Sequence, residues 1–72
     1  MNSRFLKVDG KRLRQLRQER ALSLRDLSHI TGVAHDTISD LETGKRNAQP
    51  RTIRVLADAL GVKPKELIKG EE

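Results

Sequence analysis

The stretch Ser23-Leu24-Arg25-Asp26-Leu27-Ser28-His29-Ile30-Thr31-Gly32-Val33-Ala34-His35-Asp36-Thr37-Ile38-Ser39-Asp40-Leu41-Glu42-Thr43-Gly44-Lys45 decides the fold. It opens with a capping box. The Ser23 hydroxyl can accept the free N–H of Asp26, and the Asp26 carboxylate can answer the N–H of Ser23. A helix over about Leu24–Thr31 follows, with Leu24, Leu27 and Ile30 as its inward face. Gly32 supplies the left-handed residue that ends it. Ala34, Thr37, Ile38 and Leu41 then recur at i, i+3, i+4 and i+7, one face of a helix over about His35–Thr43. Gly44 closes that helix. The two helices are therefore joined by the short turn Gly32-Val33-Ala34.

Working outward, the same helical spacing continues on both sides. Leu13 and Leu16 are the inward pair of a first helix over about Gly10–Arg20, with Asp9 as its N-cap. Pro50 suits the first position of a fourth helix, where its missing N–H costs nothing. That helix carries Ile53, Leu56, Ala57 and Leu60 and stops at Gly61. Pro64 begins a short last helix bearing Leu67 and Ile68. No segment shows strand alternation over several residues. The expectation is an all-α, compact five-helix bundle: an N-terminal arm over 1–9, one domain over 10–69 and a fraying tail over 70–72. Phe5 is assigned to the core.

Composition bounds the function. The chain has 72 residues, no Cys, no Trp or Tyr, one Phe and a net charge of +5. A chain this short buries only about 60% of the surface it exposes when unfolded, too little for a deep water-excluded pocket. The absence of Cys removes disulfides, thiolate metal sites and thiol nucleophiles. No apolar run approaches the ~20 residues of a membrane span, and the opening Met1–Leu6 is too short and polar for a secretory apolar segment. Basic residues cluster in two blocks, Arg4 to Arg20 and Lys45 to Arg54, around an acidic middle holding Asp26, Asp36, Asp40 and Glu42. That pattern points to nucleic acid. Single-strand binders stack bases on exposed aromatics, and this chain has almost none, so duplex DNA is favoured.

Two helices joined by a glycine-containing turn form a helix-turn-helix, in which the second helix can lie in a DNA major groove. Ser28 and Ala34 are small enough for the crossing, and Leu27, Val33, Ile38 and Leu41 lock it. An ordinary helical bundle shares this spacing. The segment Leu24–Lys45, above all Ile38-x-x-Leu41-Glu42-x-Gly44-Lys45, resembles the phage-repressor/Cro-like helix-turn-helix family. The likeness runs on through Ile53-Arg54-Val55-Leu56-Ala57-Asp58-Ala59-Leu60-Gly61-Val62 and covers roughly residues 10–68. It implies a lambda-repressor-like DNA-binding domain of a protein that represses or activates transcription; the reading here is a repressor acting as a pair on successive major grooves.

The resemblance also assigns roles. Residues at the start of the third helix and one turn on would face base edges: His35, Asp36 and Asp40, with Thr37 and Ser39 nearby. Phosphates would be held from the start of the second helix by Ser23 and Arg25, from the following loop by Lys45, Arg46 and Asn47, and from the fourth helix by Arg51. Arg17 and Glu42 would pair as a structural salt bridge. This chain departs from the family at Ala34, where Ser or Thr often caps the helix. It also carries carboxylates where readers usually carry Arg, Asn or Gln. Asp36 in the first turn suits the helix dipole. Asp40 has no such role and can accept from cytosine N4, so it is the stronger candidate for selectivity. His35 either donates to guanine N7 or a phosphate, or simply starts the helix in solvent. Arg4, Lys7 and Lys11 could extend the footprint, while Arg14 suits a solvated surface.

Nothing gathers Ser, His and Asp into a catalytic set, and no Gly-rich phosphate loop is present. His29 and His35 lack metal-ligand spacing. The reading is therefore no enzyme, no metal and no cofactor: a cytoplasmic, nucleoid-associated transcriptional regulator of double-stranded DNA. It would be a homodimer, assembled either in solution or only on DNA, with no membrane partner. The alternative is an antitoxin or small adaptor of the same fold with a protein partner.

Overall fold

In the computed structural model, residues 4–69 are described. Four α-helices follow one another: α1 (Gly10–Glu19), α2 (Leu24–Thr31), α3 (His35–Thr43) and α4 (Pro50–Leu60). The fifth element is not an α-helix but a single 3-10 turn, Pro64–Leu67. Only Lys65 to Glu66 separate Pro64 from Leu67, and Val8 bridges Ile68 in an antiparallel pair. Extended pairing of Ile68 thus replaces the next helical turn.

The helix ends follow the local chemistry. Asp9 accepts the Arg12 N–H at 3.1 Å, and α1 stops one residue early because Arg20 is its C-cap. Ser23 and Asp26 form the full capping box, with both hydrogen bonds at 2.9 Å. The Ser23 backbone N–H donated to the ionised carboxylate, followed by the Ser23 hydroxyl beside it, holds the Asp26 carboxyl below the usual aspartate range. Gly32 ends α2 at φ 78°, a conformation that favours glycine. Thr31 braces the turn: its hydroxyl donates to the Leu27 carbonyl at 2.7 Å and accepts the Val33 N–H at 3.1 Å. Ala34 makes no side-chain cap to α3.

Leu13, Leu16, Leu27, Ile38, Leu41, Ile53, Leu56, Ala57, Leu60 and Leu67 form the core, with Ala48 and Val8 at its margins. Two apolar side chains expected inside are outside. Ile30 is 57% exposed and Phe5 is 59% exposed. On α2, Ile30 falls beyond the stripe set by Leu27, and Leu24 is only half-buried. Phe5 is turned out by the extended segment that holds it. Leu6 and Ala48 exchange backbone hydrogen bonds at 2.7 and 2.9 Å. In an extended segment successive side chains alternate. Leu6 and Val8 therefore face the core, and Phe5 and Lys7 face away. Lys69 N–H to Lys7 C=O at 2.9 Å and Asp9 N–H to Leu67 C=O at 2.8 Å complete the suture. The described part of the N-terminal segment is thus bonded to the domain. Met1 to Ser3 and the tail Gly70-Glu71-Glu72 lie outside the described residues.

Two contacts set α3 against α1. Gly10 lies so close to the end of α3 that an added Cβ would sit 2.5 Å from the Leu41 carbonyl oxygen. Arg17 makes a bidentate pair with Glu42, Nε to Oε2 at 2.6 Å and Nη2 to Oε1 at 3.0 Å. The two side chains are only 10% and 6% exposed. The Glu42 hydrogen bond raises the Arg17 pKa above its ordinary value, against an opposing effect of burial. The third guanidinium donor, Nη1, reaches the Leu22 carbonyl at 2.8 Å. It thereby holds the α1–α2 turn, where Ala21 adopts the left-handed φ of 55° at a cost of roughly 1 kcal/mol.

Three outcomes are expected. Gly10→Ala forces backbone apart and should destabilise the domain by about 1–3 kcal/mol, measured by urea unfolding. Glu42→Gln leaves a buried guanidinium without its counter-charge and should lower the melting temperature by roughly 12–40 °C; an unchanged Tm contradicts the pairing. Because the folded Asp26 carboxyl titrates below its unfolded value, its contribution is full above the ordinary aspartate pKa. It disappears as pH falls through the depressed value. The Tm difference between the parent chain and Asp26→Asn should therefore shrink on acidification, as followed by circular dichroism.

Candidate nucleic-acid interface

The lock behind α3 leaves its other side bare. Ile38 and Leu41 are fully buried, while His35 and Asp36 are exposed and Thr37, Ser39 and Asp40 are half-exposed. With Thr43, exposed at the end of the helix, these are the side chains α3 presents to solvent. The helix is short and rigidly backed, so their positions are set before a ligand arrives.

Neither carboxylate on this surface stands alone. His35 Nδ1 lies 3.2 Å from Asp36 Oδ1, an ion pair when the imidazole is protonated. Asp40 Oδ2 faces Arg46 Nη2 at 3.4 Å, with side-chain exposures of 34% and 51%. Pairs this exposed contribute little to stability. Their consequence is local: Arg46 offsets the negative charge of Asp40 beside the surface where phosphates would lie. The other oxygen, Oδ1, remains for a hydrogen bond. The loop itself is anchored, since Lys45 N–H donates to the Asp40 carbonyl at 2.8 Å. Thr43 Oγ1 donates to the Ser39 carbonyl at 3.1 Å and shares the Asp40 carbonyl at 3.3 Å.

The remaining cations surround α3 at element ends. Asp40, Lys45, Arg46 and Asn47 come together around a shallow concavity of about 570 Å³, and Phe5 forms part of its wall. Ser23 and Arg25 sit at the start of α2 and Arg51 at the start of α4; they are not part of that concavity. The Ser23 oxygen is occupied as a cap acceptor, leaving its hydroxyl hydrogen as the available donor. Glu42 offers no free oxygen outward, because Arg17 takes both. Arg12 is drawn to Glu66 at 2.9 Å and Arg20 to Glu19 at 3.8 Å, so parts of the first basic block are paired on α1. Among the described residues, no cluster of His, Cys, Asp and Glu could hold a metal ion, and no helix is long and apolar enough to cross a membrane.

Two features of this surface escape a reading by helical period. The Asp40–Arg46 contact joins a helix to a loop whose path the sequence does not specify. The place of Phe5 depends on the Leu6–Ala48 bridge, and the only trace of that bridge is the short alternation Phe5-Leu6-Lys7-Val8.

Comparison with known proteins agrees with this geometry. The chain is 39% identical over 61 residues to the HTH-type transcriptional regulator DdrOP3 of Deinococcus deserti, covering 85% of this chain and 47% of that protein. It spans about half the length, or less, of the first curated relatives it matches. The restriction-modification controller protein C.AhdI from Aeromonas hydrophila superposes with a TM-score of 0.76 at 37% identity, over 79% of this chain and 86% of that one. The P22 c2 repressor, solved in complex with a synthetic operator, gives a TM-score of 0.81 at 26% identity, over 89% and 97%. The family pattern described as a helix-turn-helix domain matches residues 10–68, and the chain belongs to that family.

Proposed function

We propose that this domain binds double-stranded DNA, lays α3 in the major groove and regulates transcription, acting as a repressor. The observation that carries the reading is the asymmetry of α3. Its back is fixed to α1 by a buried bidentate ion pair, and its front presents five polar side chains to solvent. The likeness to DNA-bound repressors supports it. His35, Asp36, Thr37, Ser39 and Asp40 face base edges in this arrangement. Asp40 Oδ1 accepts from a cytosine amino group while Oδ2 holds Arg46. Ser23, Arg25, Lys45, Arg46, Asn47 and Arg51 hold phosphates.

Two copies occupy a two-fold site, with their α3 helices about 34 Å apart. Pairing on the DNA accommodates so small a domain. A regulator of this kind works in the cytoplasm, on the nucleoid. An antitoxin or adaptor role gains no comparable support, since the relatives it matches are transcriptional regulators.

The test is fluorescence anisotropy with a labelled random duplex over a salt series. Six phosphate contacts give a log–log slope of roughly −5. Replacing Arg46 and Arg51 together by Ala should weaken binding evenly on all sequences and flatten the slope by roughly two units. An unchanged slope removes both from the phosphate set. Absence of salt-dependent binding by the parent chain rejects the DNA-binding reading itself.

A further inference from the structure

Phe5 is the one aromatic side chain of this protein, and it stands 59% exposed. An isolated exposed apolar residue needs no explanation. The surroundings of Phe5 give it one. It lines the same shallow concavity as Asp40, Lys45, Arg46 and Asn47. That concavity lies at the end of α3 and continues into the basic loop. Its wall is therefore divided between an aromatic surface and two cations, one of which, Arg46, is already tethered to Asp40.

The placement is held by the backbone. Leu6 is clamped to Ala48 by two reciprocal hydrogen bonds, at 2.7 and 2.9 Å. Leu6 packs inward against the core, and the alternation of an extended segment turns its neighbour Phe5 outward. Ala48 directly follows Asn47, so the bridge ties the Phe5 backbone to the loop that carries the cations. Little backbone freedom is left to lose on binding, which favours affinity.

A nucleotide of duplex DNA has the matching division: an anionic phosphate beside an apolar deoxyribose edge. We propose that Phe5 packs against the deoxyribose of a nucleotide whose phosphate is held by Lys45 and Arg46. The N-terminal segment thereby becomes part of the DNA-binding surface through an apolar contact. This rests on the DNA-binding reading above and adds a contact without charge. Such a contact strengthens binding to every sequence and releases no counterions. It differs from the cations, whose removal changes the salt dependence.

The experiment compares the parent chain with Phe5→Ser, Phe5→Leu and Arg46→Ala. Each binds a random-sequence duplex, and a matched duplex with every thymine replaced by deoxyuracil, over a salt series. Phe5→Ser should lose about tenfold in affinity, the order expected when roughly half of a Phe side chain stays in water. Its log–log slope should match the parent's. Phe5→Leu should recover most of the loss, and Arg46→Ala should flatten the slope. The Tm of both Phe5 variants should stay within a few degrees of the parent's. Equal affinity of Phe5→Ser and parent overturns the proposal while leaving the DNA-binding reading intact. So does a loss seen with thymine but absent with deoxyuracil, which assigns the contact to a base methyl. A large fall in Tm for both variants, matched by the loss of binding, assigns Phe5 to the fold and also overturns it. Failure of the parent chain to bind either duplex rejects the underlying reading instead.

Discussion

The structure depends on one interaction, the bidentate pair between Arg17 on α1 and Glu42 near the end of α3. All three groups of donors on the Arg17 guanidinium are used, two on Glu42 and one on the Leu22 carbonyl. A charge pair this secluded gains its attraction against a desolvation penalty, so its net stabilisation is modest. Removing either partner is what costs most. Its geometric effect is larger than its energetic one. The fork fixes α1, the strained turn at Ala21 and the C-terminal half of α3 in a single arrangement. Gly10 completes that arrangement by letting backbone meet backbone. A helix of nine residues such as α3 has little stiffness of its own. It is this bracing from behind that gives its outer side chains defined positions.

The acidic character of the outer surface then has a physical account. Carboxylates near DNA phosphates oppose binding, yet Asp36 and Asp40 each have a cation-capable neighbour. In the proposed complex these neighbours reduce the penalty on affinity, while an acceptor remains for a base that carries an amino group. In that complex, attraction to DNA falls to the exposed cations of the loop and of the helix starts. Arg46 adjoins Asp40 and shares its concavity with Lys45, so in the proposed complex the phosphate-holding cations of the loop stand beside the carboxylate that selects a base.

Helix limits were legible because they are written in local chemistry. The capping box at Ser23 and Asp26, Gly32, Gly44, Pro50 and Gly61 each act within a few residues, and all five lie where the spacing predicts. The last helix failed as an expectation because a tertiary event, the pairing of Val8 with Ile68, competes with local propensity. Phe5 was misplaced for the same reason. A large apolar residue defaults to the core unless an extended segment turns it outward. Ile30 shows the limit of an i, i+3 pattern on an eight-residue helix, where one inward leucine suffices. In the candidate site, the exposed face of α3 follows from its buried face. The partner of Asp40 does not, because a loop cation's position depends on contacts far apart in sequence. The close approach at Gly10 is likewise invisible to periodicity.

In the proposed function, DNA lies on the outer face of α3 and on the basic loop after it. Amide chemical-shift mapping of the isotopically labelled chain, titrated with a random duplex at low salt, tests this most directly. The largest shifts are expected at His35–Asp40 and Lys45–Asn47, with the outer face of α1 around Arg14 little changed. Shifts centred on α1, with α3 unaffected, would contradict it.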